Sequence, residues 1–300
     1  MFKRSLVALI TPFKDGAIDI PSLEHLIEWH IQEGTHALVV CGSTGEGFFL
    51  SSEEHSQVVT CVVRQSKGRI PIIASSGAMT TSASVALSMQ SEKGGASALM
   101  VVTPPYVKPT QEGMYRHYLA IHEATSLPIL IYNNPGRTGG TMQDETLVRL
   151  SQLPRIAAVK DSTNCLTRPC SVRALVKDRV AQLTGEDATT LAFLAQGGCG
   201  GVSVMGNIAP KLCAQMHAAW EARDLERAFE IRDLLYPLTQ ALFMESMPAS
   251  VKYALSIMGL CTGELREPLI QISEQNQREM RDAMNHAGVL SGSFKEYSRA

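Results

Sequence analysis

The chain is poor in the features that mark several large protein classes. Charged residues make up 19% of its 300 positions, the formal net charge is −2, and no run of five like charges occurs. Nothing therefore offers the electrostatic footprint that DNA, RNA or an anionic membrane needs, and no nucleic-acid or membrane partner is expected. Neither GxGxxG nor GxxxxGK[ST] is present, so the phosphate-cradling turns of dinucleotide-binding and P-loop folds are missing. The seven cysteines, Cys41, Cys61, Cys165, Cys170, Cys199, Cys213 and Cys261, contain no CxxC pair and no zinc spacing. They read as reduced thiols of a cytoplasmic protein. The eight histidines fall in expected helices or away from expected strand ends, so no metal centre and no cofactor are expected. The opening MFKRSLVALITPF joins two basic residues to a short apolar run, but Pro12 and Lys14 interrupt it and no small-residue cleavage site follows. We read it as a first strand.

What the chain does have is a repeated alternation. Eight short apolar runs, rich in β-branched residues or closed by glycine or proline, predict strands at 6–10, 37–41, 70–74, 98–102, 129–132, 156–160, 181–184 and 201–204. Between them lie stretches such as IPSLEHLIEWHIQEG and DETLVRLSQL, whose apolar residues recur at three and four. Each parallel crossover needs a helix, and eight such units close a (β/α)₈ barrel; an open doubly wound sheet is the weaker alternative. The residues beyond the eighth strand exceed one closing helix, and DLERAFEIRDLLYPLTQALF and PASVKYALSIMG predict a helical extension. The expected division is a catalytic barrel over 1–224 and a C-terminal helical domain over 225–300, packed against each other.

In such a barrel the chemistry sits at the carboxyl ends of the strands. The polar loops there are CGSTGEG, TPPYVKPTQEG, YNNPGRTGG, KDST and TGED. Lys160 ends the sixth strand, and side-chain alternation puts it on the inward face with Ala158, while Ala157 and Val159 face the helices. It could simply snorkel to solvent or pair with Asp161 or Glu186. An amine of ordinary pKa about 10.4 is almost wholly protonated at neutral pH, however, and burial is the usual way to make one nucleophilic. Tyr132 ends the neighbouring strand on the same inward face, so a phenol stands beside the amine as a candidate proton carrier. Together they suggest Schiff-base chemistry. GSTGEG offers hydroxyls and amides suited to a small carboxylate, and Arg137 a fork of donors for a second one. Glu186 and Asp187 after the seventh strand would repel a phosphate.

The landmarks GSTGE, TPPYVKPTQEG, YNNPGRTG, VKDST, TGED and GGVSV, with MPASVKYAL and REPL near the end, run in order over nearly the whole chain. In this the sequence resembles the pyruvate-dependent lyases and synthases typified by dihydrodipicolinate synthase and N-acetylneuraminate lyase, with its C-terminal motifs closer to the synthase branch. The resemblance implies a synthase that condenses pyruvate with aspartate 4-semialdehyde in lysine and diaminopimelate biosynthesis, or alternatively a lyase or aldolase of 2-keto-3-deoxy sugar acids or N-acetylneuraminate. A non-catalytic barrel is the reading from another class. By resemblance, Lys160 forms the imine, and Ser43 and Thr44 hold the pyruvate carboxylate. Tyr132 relays protons through Ser43 to Tyr106 of a neighbouring subunit in a homodimer or homotetramer. Arg137 receives the aldehyde substrate, and Gly185 and Val202 line the pocket. Two departures stand out: Ser43 where the synthases usually carry threonine, and Asn134 where an apolar residue is usual.

Overall fold

The computed structural model describes residues 1–290; residues 291–300 of the expected C-terminal domain lie outside the described residues. Strands β1 (Arg4–Ala8), β2 (Phe13–Lys14), β3 (Ala17–Ile18), β4 (Ala37–Val40), β5 (Ile72–Ser75), β6 (Ala98–Val102), β7 (Ile129–Asn133), β8 (Ile156–Asp161), β9 (Ala181–Thr184) and β10 (Gly200–Ser203) follow one another along the chain. Eight of them, all but β2 and β3, form a closed parallel barrel in sequence order, β1 pairing with both β10 and β4. The expected (β/α)₈ architecture is what the chain adopts.

Strand alternation separates two apolar populations. Leu6, Ala8, Val39, Ile73, Met100, Leu130, Ala158, Leu183 and Val202 fill the barrel, while Leu99, Val101, Ile131 and Val159 face the helices. Each of the Val, Leu, Ile and Met side chains among them, removed from water, stabilises the fold by roughly 1.5–3 kcal/mol relative to exposure. The helix Thr81–Lys93 meets the sheet through serines instead, Ser84, Ser88 and Ser91 being buried. The Ser88 hydroxyl donates to Ser84 O at 2.7 Å and shares a hydrogen bond with the Ser76 hydroxyl at 2.9 Å, so burial leaves it satisfied.

Beyond the barrel, helices Leu225–Leu242, Ala249–Ile257 and Glu274–His286 pack on one another, with Asp224 capping the first of them at the proposed domain boundary. Many of their apolar residues join one core cluster with β1, β4 and β5. The segment after Ala249–Ile257 returns to the β1 loop, where the Thr262 hydroxyl donates to Phe13 O at 2.6 Å. Among the described residues no helix is long and apolar enough to cross a membrane.

Candidate active site

The pairing of β7 with β8 places Tyr132 opposite Lys160 in register. Lys160 is 5% exposed, and its Nζ stands 4.1 Å from the Tyr132 ring centroid. Asp161, next in the chain, is turned away to Arg168 at 3.0 Å. Among the described residues Lys160 makes no close ion pair, and its charge acts on the nearby carboxyls of Glu186 and Asp187 without contact. Gly185 keeps this space open: a Cβ there would fall 1.9 Å from Ser162 Oγ and 2.9 Å from Lys160 Cε.

The Tyr132 hydroxyl accepts a 2.6 Å hydrogen bond from Asn134 Nδ2. Burial alone would push this phenol up. The Lys160 charge, the hydrogen bonds of Asn134 and Ser162 and the Arg137 charge outweigh it and bring the group below its ordinary value. No hydrogen bond from Tyr132 to Ser43 is present among the described residues. Asn134, visible in the sequence only as a departure from pattern, is thus the phenol's direct partner.

Ser162, seen in the sequence only as part of KDST, has no role assigned there, and Glu186 reads there as a possible partner of Lys160 and as repelling a phosphate. Ser162 lies near both the phenol and Glu186 and favours the ionised form of each. Glu186 is half-buried, and desolvation and then its neighbour Asp187 push its carboxyl above the usual range. Asp187 itself accepts the backbone N–H groups of Val204 at 2.9 Å and Met205 at 3.0 Å, so it anchors the turn after β10.

Ser43 and Arg137 line one cavity of about 270 Å³ with Gly47, Val102, Pro105 and Thr138, walled by Phe48, Phe49, Met247, Pro248 and Leu269. Arg137 rides on the short helix Pro135–Thr138, which the Thr138 hydroxyl ties to Asn134 O at 2.9 Å. Thr44 is buried in the loop beneath, and Val202 packs in the barrel interior with Tyr132 rather than lining the cavity. Tyr106 lies apart. It is 84% exposed and holds a left-handed backbone, φ +68°, a conformation rare for a residue with a bulky side chain. Among the described residues no cluster of three His, Cys, Asp or Glu side chains could hold a metal ion.

A closed barrel with a buried amine at the end of its sixth strand and a phenol beside it defines an enzyme of the class I aldolase type, acting as a lyase or synthase through a lysine imine. The chain belongs to the dihydrodipicolinate synthetase family, which residues 1–287 match. It is 48% identical over 291 residues to the 4-hydroxy-tetrahydrodipicolinate synthase of Rhodospirillum centenum, covering 97% of this chain and 100% of that protein. The synthase of Bradyrhizobium diazoefficiens is 44% identical over 290 residues, 97% of this chain and 98% of its own. Among solved structures, the chloride-inhibited dihydrodipicolinate synthase of Acinetobacter baumannii complexed with pyruvate superimposes with a TM-score of 0.94 at 41% identity, covering 96% of this chain and 100% of that one.

Proposed function

We propose that this enzyme is a 4-hydroxy-tetrahydrodipicolinate synthase that condenses pyruvate with aspartate 4-semialdehyde. The observation that carries the reading is the Lys160 amine, buried, in no close ion pair among the described residues, and 4.1 Å from the Tyr132 ring centroid. Its nitrogen attacks the pyruvate ketone and water leaves, giving the protonated imine. That imine is an electron sink, so a methyl proton departs and an enamine forms. The enamine carbon attacks the aldehyde carbon of the second substrate, and the carbonyl oxygen takes a proton. The substrate amine then adds to the imine carbon, and ring closure expels Lys160. Tyr132 carries protons in these steps; Ser43 continues the route toward Tyr106 and, with Thr44, holds the pyruvate carboxylate. Turnover of pyruvate with aspartate 4-semialdehyde in a coupled assay tests this directly. A preference for the aldehydes released from sugar acids would instead favour the sugar-acid lyase reading.

Arg137 is the proposed receptor for the aldehyde substrate's carboxylate, because it lines the cavity mouth and is exposed to an arriving anion. Loss of a charged, forked contact removes on the order of 2–3 kcal/mol, so Arg137→Ala will lower kcat/KM for the aldehyde roughly a hundredfold. Trapping of the pyruvate imine will stay close to wild type. Near-normal aldehyde kinetics in this variant would remove the assigned role.

We further propose a cytoplasmic homodimer or homotetramer in which the exposed Tyr106 of one protomer completes the site of its partner. The strained backbone at Tyr106 supports this, since such conformations concentrate where function demands them. Mixing inactive Lys160→Ala protein with inactive Tyr106→Phe protein will restore activity, because a hybrid dimer holds one site with both native residues. No recovery after verified subunit exchange would make the sites self-contained.

A further inference from the structure

The proposed chemistry leaves two sequence motifs without a role, MPASVKYAL and REPL, and both bring a cation against the loop that carries Ser43 and Thr44. Lys252 and Glu46 are fully buried and ion-paired with each other. Lys252 Nζ also donates to Glu264 O at 2.8 Å and stands 4.1 Å from the Phe13 ring centroid. The second oxygen of Glu46 accepts the backbone N–H of Arg266 at 3.0 Å. The Arg266 guanidinium reaches Phe49 O at 2.9 Å and pairs with Glu54, whose carboxyl that contact holds down to about 2.

The loop so gripped is under strain. Cys41 at φ +57° and Glu46 at φ +52° both hold left-handed backbone conformations. The chain folds back on itself between them, Gly47 N–H donating to Gly42 O at 3.0 Å and Glu46 N–H to Ser43 O at 3.2 Å. A Cβ at Gly47 would lie 1.8 Å from Cys41 O. Conformations of this kind persist only where the surroundings over-determine them. A buried ion pair adds little net stability, since desolvation offsets the attraction, so what this one contributes is geometry.

We infer that the buried Glu46–Lys252 pair is a positioning device through which the C-terminal extension sets the Ser43–Thr44 turn for the pyruvate carboxylate. The inference rests on the pyruvate chemistry proposed above. Glu46, Ser43 and Arg137 line one cavity, but the Arg137 turn is held by its own bonds from Thr138 Oγ1 and Arg137 N–H to Asn134 O, so the device is expected to act chiefly on the pyruvate side.

The test separates position from stability. Each single neutralisation, Glu46→Gln or Lys252→Met, leaves a buried charge unpaired and lowers the melting temperature, whereas Glu46→Gln/Lys252→Met removes both charges and recovers it. In that double variant the pyruvate KM will remain about tenfold or more above wild type, with kcat and the aldehyde KM within about threefold. Glu46→Asp keeps the charge but shortens the tether by one methylene, and will raise the pyruvate KM alone in the same way. If the pyruvate KM returns to wild type together with the melting temperature, or if Glu46→Asp leaves it unchanged, the pair only stabilises the fold and the inference is overturned. Wild-type protein that forms no borohydride-trapped pyruvate adduct would overturn the underlying chemistry instead, and the inference with it.

Discussion

Treated with pyruvate and borohydride, the protein will gain the mass of a reduced pyruvate imine on the peptide containing Lys160 and on no other. Among the described residues two buried lysines, Lys160 and Lys252, are candidates for unusual chemistry, and the structure separates them. Lys252 is fully buried and closed in by Glu46 and by Glu264 O, so its amine has no room for a ketone. Lys160 stands at a strand end beside Tyr132, with Gly185 leaving open the volume beside its Cε. Removing a covalent nucleophile removes the intermediate as well as a contact, so Lys160→Ala will lower kcat/KM by about 10⁴-fold or more. Its fold will be retained, because the substitution leaves in place the barrel core of Leu130, Tyr132, Ala158 and Leu183. Adduct mass on another peptide, or none under conditions of turnover, would refute the assignment.

The strands were legible because burial on both faces of a parallel sheet leaves continuous apolar runs. Their ends were less so, for reasons visible in the hydrogen bonds. The run from Ile70 predicts a strand two residues before β5 begins at Ile72; Pro71 has no N–H to give, although its carbonyl accepts from Leu38 N at 3.0 Å. The run to Ile10 outlasts β1, which ends at Ala8, because Ile10 N–H is taken by Asn207 Oδ1 at 3.1 Å rather than by a neighbouring strand. Apolar continuity reports burial, and burial continues past the ladder. The β2–β3 hairpin went unread although its signal was present: Asp15 and Gly16 supply the two left-handed residues that a tight reversal needs, φ +53° and +79°.

At the site, alternation along single strands was enough to place Lys160 and Tyr132 together, since adjacent strands share a register. What stayed hidden depends on contacts between loops. Asn134 reaches back to the phenol of its own strand, Ser162 lies near Glu186 of the next loop, and Glu46 meets Lys252 from the far end of the chain. None of these pairings has a periodicity to reveal it. Glu46 carries one faint signal, a carboxylate set between glycines in a loop otherwise suited to binding an anion. A charge of that sign there calls for a buried cation to neutralise it.

Tyr132→Phe will lower kcat by about 10²–10⁴-fold, the range expected when a positioned proton carrier is lost. The substitution removes one oxygen and keeps the ring that packs with Leu130, Ala158 and Leu183, so the cost falls on chemistry rather than on the fold. Two proton transfers in the proposed sequence need a group that can both take and return a proton beside the Lys160 nitrogen. An ordinary buried phenol would be a poor one, because desolvation disfavours its anion. Here the Lys160 charge, the Asn134 and Ser162 hydrogen bonds and the Arg137 charge overcome that burial and lower the phenol below its usual value near 10. The sign of each contribution can be tested. Asn134→Leu withdraws a donor that stabilises the phenolate, so the Tyr132 titration, and any alkaline limb of the kcat profile that depends on it, moves to higher pH. Tyr132→Phe abolishes that limb. The Lys160 adduct will still form in Tyr132→Phe, more slowly, because the nucleophile is intact and only its proton carrier is gone. A Tyr132→Phe enzyme whose kcat stayed within about tenfold of wild type would take the proton-carrying role from this residue and leave Ser162 and Glu186 as the groups to examine.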